Sequence, residues 1–236
     1  MIDSNPGYIL KVKNGAGWRR FDIARLQISV GQPYHEGAKL VATIDWVRSR
    51  FKHVIVCVND TLQRYNLRLE QGLPDQIAAT VTRKAGDDWL TRNGDFFKIL
   101  PSYKIYRWDD WREQPNFAQK LAEIQCLYDT HADMRDLIAK DIALFWSRRA
   151  MRLGVDENFR RATYEKLSTA YLLEETAAFF MMFEQHRAAD IYPGSALLPC
   201  VLNQLYGPDA GRAEDAGISA FTRIDFLRRN SSRKKA

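Results

Sequence analysis

Ala24-Arg-Leu-Gln-Ile-Ser-Val30, then a helix-patterned run from Gly37 to Phe51, then His53-Val-Ile-Val-Cys-Val58: this stretch decides the fold. The first segment is an apolar strand. The second carries Leu40, Val41, Ile44, Val47 and Phe51 at helical spacing, the pattern of a helix with one buried stripe. The third is apolar almost without interruption, as a strand must be when helices cover both faces of a parallel sheet. Together they form a βαβ unit, whose right-handed crossover sets both strand ends on one edge. Ser29 then stands at the carboxyl end of its strand, where open α/β sheets keep their ligands.

Outward from this unit, Asn59-Asp60-Thr61 supplies capping side chains for a helix through about Leu69. Pro74 starts another that runs toward Arg92, and Tyr103-Lys-Ile-Tyr-Arg107 is a third strand. From Asn116 the pattern is helical through Leu121, Ile124, Leu127, Leu137, Ile138, Ile142 and Phe145. Asn158 begins a helix that holds Leu167, Tyr171 and Glu175 and continues to about Gln185. Ala189-Asp-Ile-Tyr-Pro193 is a short strand entering a turn, since proline forces extended backbone on the residue before it. A helix near Ser195 to Leu205, a glycine-containing loop and a strand from Ala220 to Leu227 complete the pattern. The fold class is α/β, a Rossmann-like parallel sheet flanked by helices. With 236 residues, 46% of them hydrophobic, one core suffices, and residues 1–227 are expected to form a single domain. Residues 228–236, with five positive charges and no acid, are expected to be a disordered basic tail.

The apolar stretches are broken by charge and the N-terminus lacks a secretory pattern, so a cytoplasmic protein without a membrane span is expected. Cys57, Cys126 and Cys200 are isolated thiols with no CxxC pair or clustered histidines, which implies buried small hydrophobes, no disulfide framework and no metal site. A formal charge of +6 permits a polyanionic partner without requiring one.

Three short segments carry the chemistry: Ser29-Val-Gly-Gln-Pro-Tyr34, Tyr171-Leu-Leu-Glu-Glu175 and Tyr192-Pro193-Gly194. Each alone has an ordinary explanation: a polar residue near a turn, a half-exposed helix pair, a turn dipeptide. Tyr171 and Glu175, at i and i+4, share one helical face, which favours Glu175 over Glu174 as a pocket residue and leaves Glu174 as solvated surface. As a set they resemble the cyclodipeptide synthases, which join the aminoacyl groups of two charged tRNAs into a cyclic dipeptide. Ser29-Val30-Gly31-Gln32-Pro33-Tyr34 fits the family's nucleophile segment, and Tyr171 with Glu175 meets its helix motif. Gln32 and the pair Tyr192-Pro193 look like the group that lacks Asn three residues after the serine and has Pro after the downstream tyrosine. The chain departs from many members in having Gln27 where they have Gly.

The resemblance implies a fold similar to the catalytic domain of class I Tyr and Trp aminoacyl-tRNA synthetases. It implies two aminoacyl-tRNAs as substrates and neither ATP nor metal as cofactor, and the chain has no GxxxxGK[ST] phosphate loop. It implies a ping-pong route in which Ser29 forms an aminoacyl ester, Glu175 holds the substrate ammonium with Tyr171 beside it, and Tyr192 supports proton transfer. Gly31, Gln32, Tyr34 and Pro193 would line the substrate site, and Arg83, Lys84, Arg92 and Lys98 would meet tRNA phosphates. Two other classes stay open. An α/β serine hydrolase or esterase would normally show GxSxG, whose first glycine Gln27-Ile-Ser-Val-Gly31 lacks. A noncatalytic RNA-binding module would explain charge and aromatics but not Tyr171, Glu175 and Tyr192. His35 is close to Ser29 in sequence, but spacing alone does not set its imidazole on the hydroxyl and no orienting acid is evident.

Overall fold

In the computed structural model, residues 7–13, 16–153, 161–194 and 219–228 are described. The strands are β1 (Tyr8–Val12), β2 (Ile23–Ser29), β3 (His53–Asn59), β4 (Tyr103–Arg107), β5 (Ala188–Tyr192) and β6 (Ser219–Arg228). The helices are α1 (Gly37–Arg48), α2 (Arg64–Gln71), α3 (Asp75–Asn93), α4 (Trp108–Arg112), α5 (Phe117–Thr130), α6 (Ala132–Leu153) and α7 (Arg161–Gln185). The strands form one sheet in the order β1-β6-β5-β2-β3-β4, parallel except that β1 runs antiparallel to β6.

From β2 the chain moves outward through β3 and β4, then returns to lay β5 on the other side of β2. The carboxyl ends of β2 and β5 therefore flank a switch in winding direction, where adjacent connections diverge and leave a crevice. Ser29 ends β2 and Tyr192 ends β5, so this reversal brings together two residues far apart in sequence.

Strand alternation sorts the two faces of the sheet. Ala24, Leu26 and Ile28 join Val54, Val56 and Val58 in a core with Leu40, Ile44 and Val47 of α1 and Trp89 of α3. On the other face Ile55 and Cys57 pack against α5, α6 and the Phe179 to Phe183 run of α7. Here β2 presents Arg25, Gln27 and Ser29. Arg25 is fully buried and grips Asp190 of β5 with two hydrogen bonds, Nε to Oδ1 and Nη2 to Oδ2, each 2.9 Å. Its Nη1 donates to the carbonyls of Met182 and His186 at the end of α7, where a cation complements the helix dipole. One guanidinium thus fastens β2, β5 and α7 together on the face of β2 that also carries Ser29. Gln27 belongs to this network: its Nε2 donates to Asp190 Oδ1 at 3.1 Å.

Several expectations need correction. The antiparallel β1 is a strand that the sequence pattern does not announce: Tyr8-Ile-Leu-Lys-Val alternates only between half-buried and exposed positions, a weak signal typical of an edge. Arg228 belongs to β6, in register with Tyr8, and not to a tail. The first helix stops at Arg48, which frees Phe51 to pack against Trp18 and Trp46. Cys126 is exposed on α5, whereas Cys57 is buried and its thiol pushed up to about 12 by burial. The helix start at Asn158, the helix from Ser195 to Leu205, Cys200 and the residues beyond Arg228 lie outside the described residues. No described helix is long and apolar enough to cross a membrane.

Candidate active site

Ser29 is followed by a reverse turn in which Gln32 N–H donates to Ser29 O at 3.2 Å. Gly31, third in that turn, has φ +87°, the left-handed value that a type II turn demands there and that favours glycine. The turn releases the chain into a 3-10 turn, Pro33–His35, that swings Tyr34 back over the end of β5. Ser29 Oγ lies 3.2 Å from Tyr192 OH, and Tyr192 OH lies 2.9 Å from Tyr34 OH. The three hydroxyls form a continuous chain. Burial raises both phenols above their ordinary value, and for Tyr34 the neighbouring Tyr192 adds to it, so both remain protonated near neutrality. Gly194 completes the corner: a Cβ there would lie 2.6 Å from the Tyr192 ring, so glycine lets that ring fold over its own backbone.

Opposite stand the side chains of α7. Tyr171 OH donates to Glu175 Oε1 at 3.4 Å, and Gln63 also hydrogen-bonds Tyr171. Burial, reinforced by Asp141 of α6, raises the Glu175 carboxyl to about 7. Glu174 points elsewhere. It is 3% exposed and accepts from both terminal nitrogens of Arg64, from Trp108 Nε1 at 2.7 Å and from Tyr65 OH at 2.8 Å. Burial opposes its charge, but those donors outweigh it and hold the carboxyl below its ordinary value. Glu174 is thus a buried structural anion and not the solvated acid expected, because residues one apart on a helix face different neighbours.

Ser29, Gly31, Gln32, Tyr34, Tyr171 and Tyr192 line one cavity of about 690 Å³, together with Tyr65 and Asn66 of α2, Ile142 and Phe145 of α6 and Leu167 of α7. Glu175 reaches it through Tyr171. Pro193 follows β5, half-buried, and is not among the lining residues. Arg83, Lys84, Arg92 and Lys98 are exposed on α3 and the turn after it, each ion-paired with an acid: Asp109, Asp88, Glu36 and Asp95 respectively. Sequence reasoning missed Gln63, Tyr65 and the Arg64–Glu174 pair; the Arg64-Tyr65 dipeptide on a short helix carries no signal until α7 is packed against it.

His35 is not paired with the serine hydroxyl. Its Nδ1 accepts from the backbone N–H of Ser29 at 2.9 Å, and burial lowers its pKa to about 4. Among the described residues no group of His, Cys, Asp and Glu side chains is arranged to hold a metal.

No protein-family model matches the sequence, and no curated protein matches it. Solved structures do resemble it. A cyclodipeptide synthase (CDPS) from Fluoribacter dumoffii superposes with a TM-score of 0.82 at 23% identity, over 94% of this chain and 100% of the other. The cyclodipeptide synthase from Candidatus Glomeribacter gigasporarum, solved bound to Phe-tRNAPhe, gives 0.68 at 20% identity over 91% of both chains. A Mycobacterium tuberculosis protein gives 0.67 at 15% identity over 93% of this chain and 94% of its own; its structure relates cyclodipeptide synthetases to type I tRNA synthetases. The chain has the fold of these cyclodipeptide synthases, the Rossmann-like fold expected from the βαβ reading.

Proposed function

We propose that this protein is a tRNA-dependent cyclodipeptide synthase that acts through an aminoacyl ester on Ser29. One observation carries the proposal: the serine segment lines a single cavity with the Tyr171 segment and Tyr192, both more than a hundred residues further along the chain, in the fold of solved cyclodipeptide synthases. The chain through Arg228, the last residue of β6, acts as one domain, and Gln32 with Tyr192-Pro193 supports a place in the group without Asn three residues after the nucleophile.

An aminoacyl-tRNA is an activated ester, so transfer to Ser29 is a transesterification. The Ser29 oxygen adds to the ester carbonyl, the bond to the ribose oxygen breaks, and the serine proton must reach that oxygen. Tyr192 and Tyr34 provide the path: Tyr192 accepts the Ser29 proton while passing on its own, and neither phenol ionises. Glu175 serves the amine. A carboxyl held at about 7 binds an ammonium group when charged and takes its proton when the amine must attack, which is the match to working pH that general-base catalysis favours. The amine of the second aminoacyl-tRNA then adds to the seryl ester and gives up a proton, the bond to Ser29 Oγ breaks and Oγ is reprotonated, which leaves a dipeptidyl group with one ester and one free amine on the same molecule. Attack of that amine on that ester closes the six-membered ring and frees the carrier oxygen.

The hydrolase alternative loses support, because Ser29 Oγ touches a phenol and the nearby imidazole is committed to a backbone amide. The test is incubation of the purified chain with total bacterial tRNA charged with mixed amino acids, followed by mass spectrometry. Cyclic dipeptides from charged tRNA, and none from free amino acids with ATP alone, are expected. Hydrolysis of generic esters without cyclic products would favour the hydrolase.

A further inference from the structure

The strand that carries the nucleophile is incompletely paired at its end. β3 accompanies β2 to Ser29, opposite Asn59, but the pairing of β5 with β2 stops at Leu26, opposite Ile191. A buried backbone N–H left without an acceptor is costly, and here a side chain supplies one. His35 Nδ1 accepts from Ser29 N at 2.9 Å and lies 3.3 Å from Ser29 O; the shorter contact requires a bare Nδ1. The imidazole is itself held: His35 is 1% exposed, its carbonyl accepts from Trp89 Nε1 at 3.0 Å, and its ring lies 4.6 Å from that of Tyr34 and 5.8 Å from that of Tyr192 between centroids.

A neutral imidazole that accepts at Nδ1 carries its proton on Nε2, and Nε2 has no hydrogen-bond partner among the described residues. Burial of that unmatched donor is a cost that an apolar side chain of similar size would avoid. The ring's two nitrogens thus oppose one another in stability, Nδ1 relieving the Ser29 N–H and Nε2 adding a cost of its own, while the ring lies against the backbone of the nucleophile and both phenols of the hydroxyl chain. Neither nitrogen is open to the serine proton, which excludes a general-base role. We propose that His35 is a positioning residue: it replaces the missing strand neighbour at Ser29, fixes the peptide plane from which Oγ projects, and holds Oγ on Tyr192.

The proposal rests on the reading that Ser29 is acylated, and its test separates the two. The full-length wild type, His35→Leu and His35→Asn are each mixed with total bacterial tRNA charged with mixed amino acids, and the rate of Ser29 adduct formation is followed by intact mass. Leucine removes both ring nitrogens and should slow acylation about 10- to 100-fold, the scale of a small misplacement of a reacting group. Its melting temperature and tRNA affinity should stay near those of wild type. Asparagine, whose Oδ1 can accept at the place of Nδ1, should recover most of the rate. In wild type, nitrogen NMR of the imidazole should show Nδ1 bare and Nε2 protonated throughout about pH 5 to 8. Wild-type acylation by His35→Leu, or a proton on Nδ1, overturns the proposal. If wild type forms no adduct the acylation reading fails instead, and the NMR result still decides the His35 contact; if His35→Leu does not fold, His35→Asn and the tautomer decide it.

Discussion

Glu175→Gln should make the protein more stable above neutrality while impairing its chemistry. Burial first, and Asp141 second, raise the Glu175 carboxyl from its ordinary 4.5 to about 7. Between those values the folded chain holds a proton that the unfolded chain has released, so stability falls as pH rises through the window, and above about 7 the full cost is present. A difference of about 2.5, at about 1.36 kcal/mol per pH unit, is roughly 3 kcal/mol. Residual solvent contact at Glu175 makes that figure a ceiling. Glutamine keeps the volume and still accepts from Tyr171 but carries no charge. The variant should match wild type below about pH 4.5 and exceed it by up to about 3 kcal/mol at pH 8, or about 6 to 12 °C in Tm for a chain of this size. Calorimetric melting of both proteins between about pH 4 and 8 measures this. A difference that does not change with pH, or a variant less stable at pH 8, would refute the assignment of a strained carboxyl to this position.

The same carboxyl sets the rate profile: kcat/KM should rise with pH through about 7 as Glu175 becomes able to accept a proton, and a flat wild-type profile across that range would contradict the base assignment. Arg64→Met removes two donors to Glu174 and leaves a buried anion short of its partner, so it should cost about 3 kcal/mol in denaturant unfolding; an unchanged midpoint would show that Arg112, whose Nε lies 3.4 Å from Glu174 Oε1, and the remaining donors suffice. Tyr192→Phe breaks the path from Ser29 to Tyr34 and should slow turnover about 10²-fold with little effect on tRNA binding. A variant at full rate would remove Tyr192 from proton transfer.

The βαβ core was legible because Leu40, Val41, Ile44 and Val47 of α1 and the apolar β3 bury in the pattern their periodicity demands. The candidate site was legible for a different reason: the segments around Ser29, Tyr171 and Tyr192 resemble the motifs of one family, and the switch between β2 and β5, with α7 packed beside it, brings them to one cavity. Tertiary packing decides the rest. Whether Glu174 meets water or Arg64 depends on how α7 lies against α2, which no local pattern encodes. Gln27 in place of Gly makes sense only beside Asp190, 163 residues away. His35, six residues from Ser29, acts through a nitrogen aimed at the backbone, a direction set by the Gly31 turn and the Trp89 indole rather than by spacing.

The most direct test of the central claim is the intact mass of the protein after exposure to aminoacyl-tRNA with one kind of amino acid at a time. For an accepted amino acid, wild type should gain the mass of one aminoacyl residue, mapped to the peptide containing Ser29, and Ser29→Ala should show neither the adduct nor cyclic product. A Ser29→Ala protein that still makes cyclic dipeptide, or an adduct mapped to another residue, would contradict it.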